Sequence, residues 1–325
     1  MEKIDFVVTW VDGDDPEWLR KKQKYNPTEA KLNTDIRFRD YGTFKYWFRA
    51  VEKYAPWVNK IYIVTEGHLP EWLNIANKKL VTVKHSDFMP NKYLPTFNSN
   101  AIELNLHRIK DLSEHFVLFN DDMFLMNMTK STDFFKEGLP KDFGVYSPTV
   151  PYKEFSNIIF NNIRVVNNNF SKYEDVKRNL FKFFNYKYGT QNLRSAMTMP
   201  WSKILGYWNP HLTSSFLKST FFEVWAKEDV LDKTSMNKFR TSEDVNQWLF
   251  RYFQIEKGKF VPQSATFGKY CTLNNFKEIE SSFKNSKLKE LCINDDFNVE
   301  NYEKKMDILN KMFEKKFPNK SKFEI

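Results

Sequence analysis

Apolar residues follow two rhythms along the chain. Phe6 to Val11 is an apolar run interrupted only by Thr9, the mark of a strand buried on both faces. It ends in the turn residues Asp12, Gly13, Asp14, Asp15 and Pro16. Lys60 to Thr65 and Leu80 to Lys84 read as a second and third strand. A fourth, His115 to Asn120, runs straight into Asp121 and Asp122. Between the strands the period lengthens. Phe44, Trp47, Phe48 and Val51 recur at i, i+3, i+4 and i+7, the stripe of a core-facing helix. A helix is predicted over 99–110, with Ile102, Leu106 and Ile109 on one face and Asn100, Glu103 and His107 along a polar stripe. Strands alternating with helices predict an α/β fold: a mostly parallel, Rossmann-like sheet with helices on both faces. In such sheets ligands bind at the carboxyl ends of the strands.

Beyond residue 140 the pattern changes. Residues 151–210 are rich in Asn and aromatics without a clear period. Two strong helical patterns follow, one through Phe216, Leu217, Thr220, Phe221, Val224 and Trp225, the other through Val245, Trp248, Leu249, Tyr252 and Phe253. From Asn301 a helical tail carries seven Lys against four acids. The expected organisation is a ligand-binding α/β part over 1–140, a mainly helical part over 141–300 that packs on the sheet and completes the site, and a Lys-rich tail over 301–325.

Composition narrows the class. The chain has 325 residues, 28% of them charged, and 17% aromatic, enough for a sizeable core in a folded protein. Two cysteines, Cys271 and Cys292, build neither a disulfide framework nor a Cys-rich zinc site. Neither a signal-peptide core nor an apolar run of membrane-spanning length is present, so the expected location is the cytoplasm, with peripheral attachment to the inner face of the cell membrane as the alternative. The net charge of +9 favours an anionic partner without choosing one. Val176 to Arg194 mixes Lys177, Arg178, Lys182, Lys187 and Arg194 with aromatics and no acid, which suits an anionic lipid surface or a solvated helix face. Acidic turns at the ligand edge argue against nucleic acid, and none is expected as a partner.

Candidate chemistry concentrates in acids that follow strands. Asp12 and the Asp121–Asp122 pair leave two parallel strands on one edge, where hard oxygen ligands suit Mg²⁺ or Mn²⁺. Asp-Gly and Asp-Asp are also ordinary turn formers. The second pair is bracketed by Phe116 to Phe119 and Met123 to Met126, and carboxylates in such company need a ligand or strong hydrogen bonds. Glu243 and Asp244 precede the Val245–Phe253 pattern, where they suit a helix N-terminus, and Arg240 adds a cation. His211 lies just before a helical pattern. Gly-rich phosphate loops and the common hydrolase and metalloprotease motifs are missing. Phosphate recognition therefore falls to side chains and a metal.

Several of these segments resemble the Stealth family of sugar-phosphate transferases, and most closely its bacterial capsular and receptor-polysaccharide members. Ile4 to Gly13 is similar to the first conserved block. The second resembles Arg37 to Leu125, including Tyr54 to Val58, Leu94 to Phe97, Ala101 to Glu103, His107 to Ile109 and Asn120 to Asp122. Asn209 to His211 and Lys238 to Asp244 resemble the third and fourth. The resemblance implies a GT-A-type sheet and transfer of sugar-1-phosphate from a UDP-sugar to a hydroxyl of a glycan acceptor, polyprenyl-diphosphate-linked, in capsular or cell-surface polysaccharide synthesis, with release of UMP. It implies His211 as general base, Asp122 and Arg240 as catalytic partners, and Asp121, Asp122, Glu243 and Asp244 as ligands of Mg²⁺ or Mn²⁺. Asp12, Gly13, Asn98, Asn100, Glu103 and His107 would bind the donor. The alternative is a metal-dependent glycosyltransferase that releases UDP.

Overall fold

The computed structural model describes residues 2–25, 42–296 and 299–325. Arg37, where the second family-like block begins, lies outside the described residues. Strands β1 (Ile4–Thr9), β2 (Ile61–Thr65), β3 (Leu80–Lys84) and β4 (His115–Asn120) run parallel. The chain continues through β5 (Met123–Leu125), β6 (Phe135–Lys136), β7 (Leu139–Asp142), β8 (Ser214–Leu217), β9 (Val261–Pro262), β10 (Gly268–Thr272) and β11 (Glu290–Asn294). The central sheet has the order β3-β2-β1-β4-β8, with β8 antiparallel to β4. This is the expected α/β architecture with a mostly parallel sheet.

The buried runs explain the sheet. Phe6, Val8, Ile61, Ile63, Val117 and Phe119 face one core and Val7, Tyr62, Val64, Phe116 and Leu118 the other, so both sheet faces are covered. The Phe44–Tyr54 helix covers the first face, with Trp47 edge-on to Phe119 at 5.4 Å. Phe221 stacks on Phe250 at 3.6 Å on the second. Strand β1 begins two residues before the predicted run because buried Asp5 anchors it. The Asp5 carboxylate accepts from Asn59 Nδ2 at 2.7 Å, Lys60 N at 3.1 Å and Ser113 N at 2.8 Å. One acid thus ties the starts of three neighbouring strands.

Three predicted helices change. The 99–110 helix divides into an α-helix over Ser99–Leu104 and a 3₁₀ turn over Leu106–Arg108. At the break, Asn105 Nδ2 donates to Ala101 O at 2.8 Å and Ser235 Oγ at 2.9 Å. The pattern starting at Phe216 is a strand followed by a helix over Lys218–Trp225, because Ser214–Leu217 pairs with the otherwise open edge of β4. The later helix begins at Trp248, leaving Glu243 and Asp244 in the preceding loop.

The expected division at residue 140 cuts through the sheets. Strand β8 completes the central sheet, and β11 pairs with β5 in a second sheet of order β10-β11-β5. The tail is also part of the core. In its helix, Tyr302–Lys316, Phe313 stacks on Tyr46 at 5.3 Å and lies 4.5 Å from Phe124. Arg49 donates to Phe317 O at 2.7 Å and pairs with Glu324 at 2.7 Å. The apolar face of the tail is therefore spent on packing. Among the described residues no helix is long and apolar enough to cross a membrane.

Candidate active site

Asp12 and Asp122 leave the carboxyl ends of neighbouring strands, since Thr9 of β1 pairs with Asn120 of β4. The first turn is largely self-contained. Asp12 Oδ1 accepts from Asp14 N at 3.0 Å, and Asp15 Oδ1 accepts from Trp18 N at 2.6 Å at the start of the Pro16–Tyr25 helix. Asp12 N donates to His68 Nε2 at 2.9 Å, which requires that nitrogen to be unprotonated. Burial lowers the His68 pKa in the same direction. Gly13 sits in this turn, half-buried.

The second turn is different. Asp122, His211 and Cys292 each offer a ligand atom, and these atoms lie within 4.8 Å of one another. Asp122 Oδ2 accepts the Cys292 thiol at 3.6 Å, whereas its Oδ1 is buried without a hydrogen-bond partner. Burial pushes the Asp122 carboxyl up to about 6, partly offset by the Cys292 thiol. Strand β11 holds the turn from behind, because Ile293 N donates to Asp122 O at 2.9 Å.

His211 crowns a loop fixed on both sides. Upstream, Asn209 accepts from Arg251 Nη1 at 3.0 Å and donates to the Tyr252 hydroxyl at 2.7 Å. Downstream, Thr213 donates its N–H and hydroxyl to Glu290, at 2.6 and 2.7 Å. Between these anchors His211 takes φ +53°, a conformation uncommon for a non-glycine residue. Trp248 and Tyr270 flank the imidazole edge-on at 5.9 and 5.2 Å. Burial, with Arg240 adding like charge, pushes its pKa down to about 4, so the ring is neutral at neutral pH. Burial likewise pushes Glu290 up to about 7, opposed by its bonds to Thr213.

The loop preceding Trp248 brings in the cation. Arg240 donates to Ser99 Oγ. Its charge is felt by His211, Glu103 and Asp244. Glu103 is buried, and burial raises its carboxyl to about 7 while Arg240 opposes the rise. Asp244 is the pin of the loop. Its Oδ2 accepts from Asn98 Nδ2 at 2.8 Å, Asn100 Nδ2 at 3.2 Å and Thr241 N at 3.2 Å. Its Oδ1 accepts from Asn237 Nδ2 at 2.8 Å and the Thr241 hydroxyl at 2.9 Å. Asn98 also caps the Ser99–Leu104 helix by accepting from Asn100 N at 3.0 Å.

Ligand atoms of Asp122 and His211 thus lie within 4.8 Å of each other, and the Arg240 charge acts on His211, Glu103 and Asp244, the last of these held by Asn98 and Asn100. Two residues expected at the site stand apart. The break at Asn105 turns His107 into an aromatic nest of Phe221, Phe222 and Trp225, with ring centres 4.9–5.8 Å away, where burial holds its pKa near about 3. Glu243 is exposed. Asp244 disagrees with the metal-ligand expectation, because five donors already occupy its oxygens. Asp121 and Asp122 fit a hard divalent cation better: they are adjacent acids, and one buried oxygen of Asp122 has no partner. Sequence reasoning missed Thr213, Tyr270, Glu290 and Cys292. The one available signal was Glu290 and Cys292 inside the short apolar strand Glu290 to Ile293.

Known proteins resemble this chain closely. Residues 2–29 match the family model described as Stealth protein CR1, conserved region 1, and residues 37–142 match Stealth protein CR2, conserved region 2. The capsular polysaccharide phosphotransferase WcwK of Streptococcus pneumoniae is 48% identical over 100% of this chain and 98% of its own. The exopolysaccharide phosphotransferase cps2G of Lactiplantibacillus plantarum is 44% identical over 99% of this chain and 96% of its own. The receptor polysaccharide phosphotransferase WefC of Streptococcus oralis is 43% identical over 100% of both. Among solved structures, the galactosyltransferase LgtC covers 94% of this chain and 95% of its own, at a TM-score of 0.36 and 9% identity. A likeness that weak carries nothing about the site.

Proposed function

Because this chain belongs to the Stealth family and is a phosphotransferase, we propose that it moves sugar-1-phosphate whole from a UDP-sugar to a hydroxyl of a lipid-linked glycan acceptor in capsular or cell-surface polysaccharide synthesis. The observation that carries this reading is the cluster of the His211 imidazole and the Asp122 carboxylate, whose ligand atoms lie within 4.8 Å, with the Arg240 charge acting on His211. Phosphoryl transfer is mainly positioning plus neutralisation of charge, and this trio supplies both.

In the proposed reaction the acceptor hydroxyl oxygen bonds to the sugar-bearing β-phosphorus. The bond from that phosphorus to the bridging oxygen breaks, and UMP leaves with the bridging oxygen. His211 takes the hydroxyl proton, as its unprotonated ring permits. The anchors at Asn209 and Thr213 hold the ring in place. Arg240 draws the transferring phosphate towards His211 and offsets its charge. Glu103, against the same guanidinium, is proposed to contact the donor, and Asp12 with Gly13 to meet the nucleotide. Asn98, Asn100 and Asp244 act through the loop that presents Arg240. Asp121 and Asp122 would hold Mg²⁺ or Mn²⁺, which would supply charge neutralisation on the diphosphate.

A membrane-borne acceptor also accounts for an exposed face. Phe181 and Tyr186 are 81% and 85% exposed, and Leu193, Met197 and Trp201 are exposed as well. Residues 176–203 carry six Lys or Arg and no acid. Such a surface suits anionic phospholipid. Flotation with phosphatidylglycerol vesicles should carry the protein up and phosphatidylcholine vesicles should not; equal behaviour rejects the attachment. The reaction is tested by incubating the protein with a panel of UDP-sugars, Mg²⁺ or Mn²⁺ and a glycan acceptor, then identifying the nucleotide by mass. UMP is expected. UDP would mean attack at the sugar carbon and an ordinary glycosyltransferase.

A further inference from the structure

Cys292 has no task in the reaction above, yet its sulfur belongs to the same 4.8 Å cluster as an imidazole nitrogen of His211 and a carboxylate oxygen of Asp122. We propose that Asp122, His211 and Cys292 form a three-ligand site for a thiophilic divalent cation of the Zn²⁺ class, and that filling it shuts the enzyme off. The shut-off rests on the reaction proposed above; the site itself rests on geometry alone.

The donor set decides the class of ion. One carboxylate oxygen, one imidazole nitrogen and one sulfur make a borderline-soft set that favours zinc and its neighbours over Mg²⁺, which prefers six oxygens. Three protein ligands with an open fourth position match zinc sites that stay accessible to water. Bonds of about 2.0–2.3 Å to a tetrahedral ion put ligand atoms roughly 3.3–3.8 Å apart. The 4.8 Å cluster needs only a modest closure to reach that. One carboxylate oxygen of Asp122 and one ring nitrogen of His211 already lie within that cluster. Cys292 is fully enclosed and its thiol donates to Asp122 Oδ2; as the zinc–sulfur bond forms, that proton passes to solvent. Asp122 and His211 are only half-buried, so the ion has a way in. The surroundings suit a fixed site: Ile293 N holds the Asp122 turn and Glu290 holds the His211 loop.

Competition follows from shared atoms. An ion on Asp122 displaces the hard cation from its carboxylate, and an ion on His211 removes the lone pair that accepts the acceptor's proton. Cys271 provides the internal control. It pairs with Ile293, one position out of phase with Cys292, and so faces the other side of the sheet.

The test uses the full chain freed of metal by chelation, titrated with Co²⁺ as an optical probe and with Zn²⁺ by calorimetry. The wild type should bind one ion, show a sulfur-to-cobalt charge-transfer band, and lose that band as zinc displaces cobalt. Cys292→Ser should lose the band and bind zinc at least roughly 100-fold more weakly, since even outer-shell changes cost 10–100-fold. His211→Gln should weaken zinc binding while keeping the thiol, which covers the case in which the serine variant fails to fold. Cys271→Ser should bind like the wild type. Zinc should inhibit wild-type turnover, and the inhibiting concentration should rise in Cys292→Ser relative to that variant's own rate. No cobalt band in the wild type, an unchanged band in Cys292→Ser, or zinc bound through Cys292 without inhibition would each overturn the proposal. A normal cobalt band in a protein that releases no UMP overturns the reaction and upholds the site.

Discussion

Asp121–Asp122 and Glu243–Asp244 look alike in the sequence, and the fold gives them opposite fates. Asp244 is buried with five donors on its two oxygens, from Asn98, Asn100, Asn237 and Thr241. Asp122 is half-buried, with one weak thiol donor and one buried oxygen bare. A buried carboxylate with every lone pair filled is a structural pin, and its desolvation is repaid at once. A carboxylate with one buried oxygen left unpartnered keeps a desolvation cost that a ligand can offset. The first holds the loop that carries Arg240; the second faces His211. The difference lies in the donors each acid meets, and both acids depend on partners far away in the chain.

Substitutions should separate the two. The largest effect is expected for Asp122→Asn, which should lower turnover at least about 1,000-fold. Its stability should change by less than about 1 kcal/mol or improve, because an uncompensated buried charge is removed. Single-turnover kinetics paired with urea unfolding reads both, and a severe loss of stability would erase the contrast. Asp244→Asn should do the reverse. Turning an amide towards Asn98 and Asn100 should cost about 2–4 kcal/mol in urea unfolding, and an unchanged midpoint would show that the five bonds hold nothing.

A third buried acid sharpens the comparison from another side. Glu256 accepts from the Tyr207 hydroxyl at 2.7 Å and the Tyr146 hydroxyl at 3.0 Å, and burial pushes its pKa up to about 8. The folded protein therefore holds this proton above the ordinary carboxyl range, and the unfolded chain does not. Stability from this group is full below about pH 4.5, declines as pH rises towards 8, and levels off above it. The slope is at most about 1.4 kcal/mol per pH unit. Glu256→Gln should flatten that part of the urea-unfolding profile between pH 6 and 8, and an identical profile in both proteins would contradict it. The smallest effect is expected for exposed Glu243→Gln, with less than about 0.5 kcal/mol in stability and no change in turnover. A large loss of activity there would return Glu243 to the site.

The parallel strands were legible because each is a short run rich in β-branched and aromatic residues, and their shared direction put Asp12 and Asp122 on one edge. His211 and Arg240 stood out as residues near predicted helix starts, and family likeness supplied their roles, since no local period marks either one. What stayed hidden depended on long-range partners. Strand β8 read as helix because Phe216 and Leu217 extend the apolar spacing of the Lys218–Trp225 helix, and only the open edge of β4 makes them a strand. Asp244 could not be told from a metal ligand without knowing that Asn98 and Asn100 meet it across more than 140 positions. Cys292 reaches Asp122 across 170 positions, so nothing near either residue announces the cluster. His107 shared a stripe with Glu103 only on an unbroken helix, and Asn105 breaks it.

The central claim is that His211 and Asp122 serve attack at phosphorus. A UDP-sugar labelled on its β-phosphorus tests it most directly, with the label followed into the glycan and into the released nucleotide. The account predicts that the wild type carries the label into the glycan in step with UMP release, and that His211→Ala and Asp122→Asn carry almost none. Label that stays with the nucleotide as UDP while sugar reaches the acceptor would contradict it.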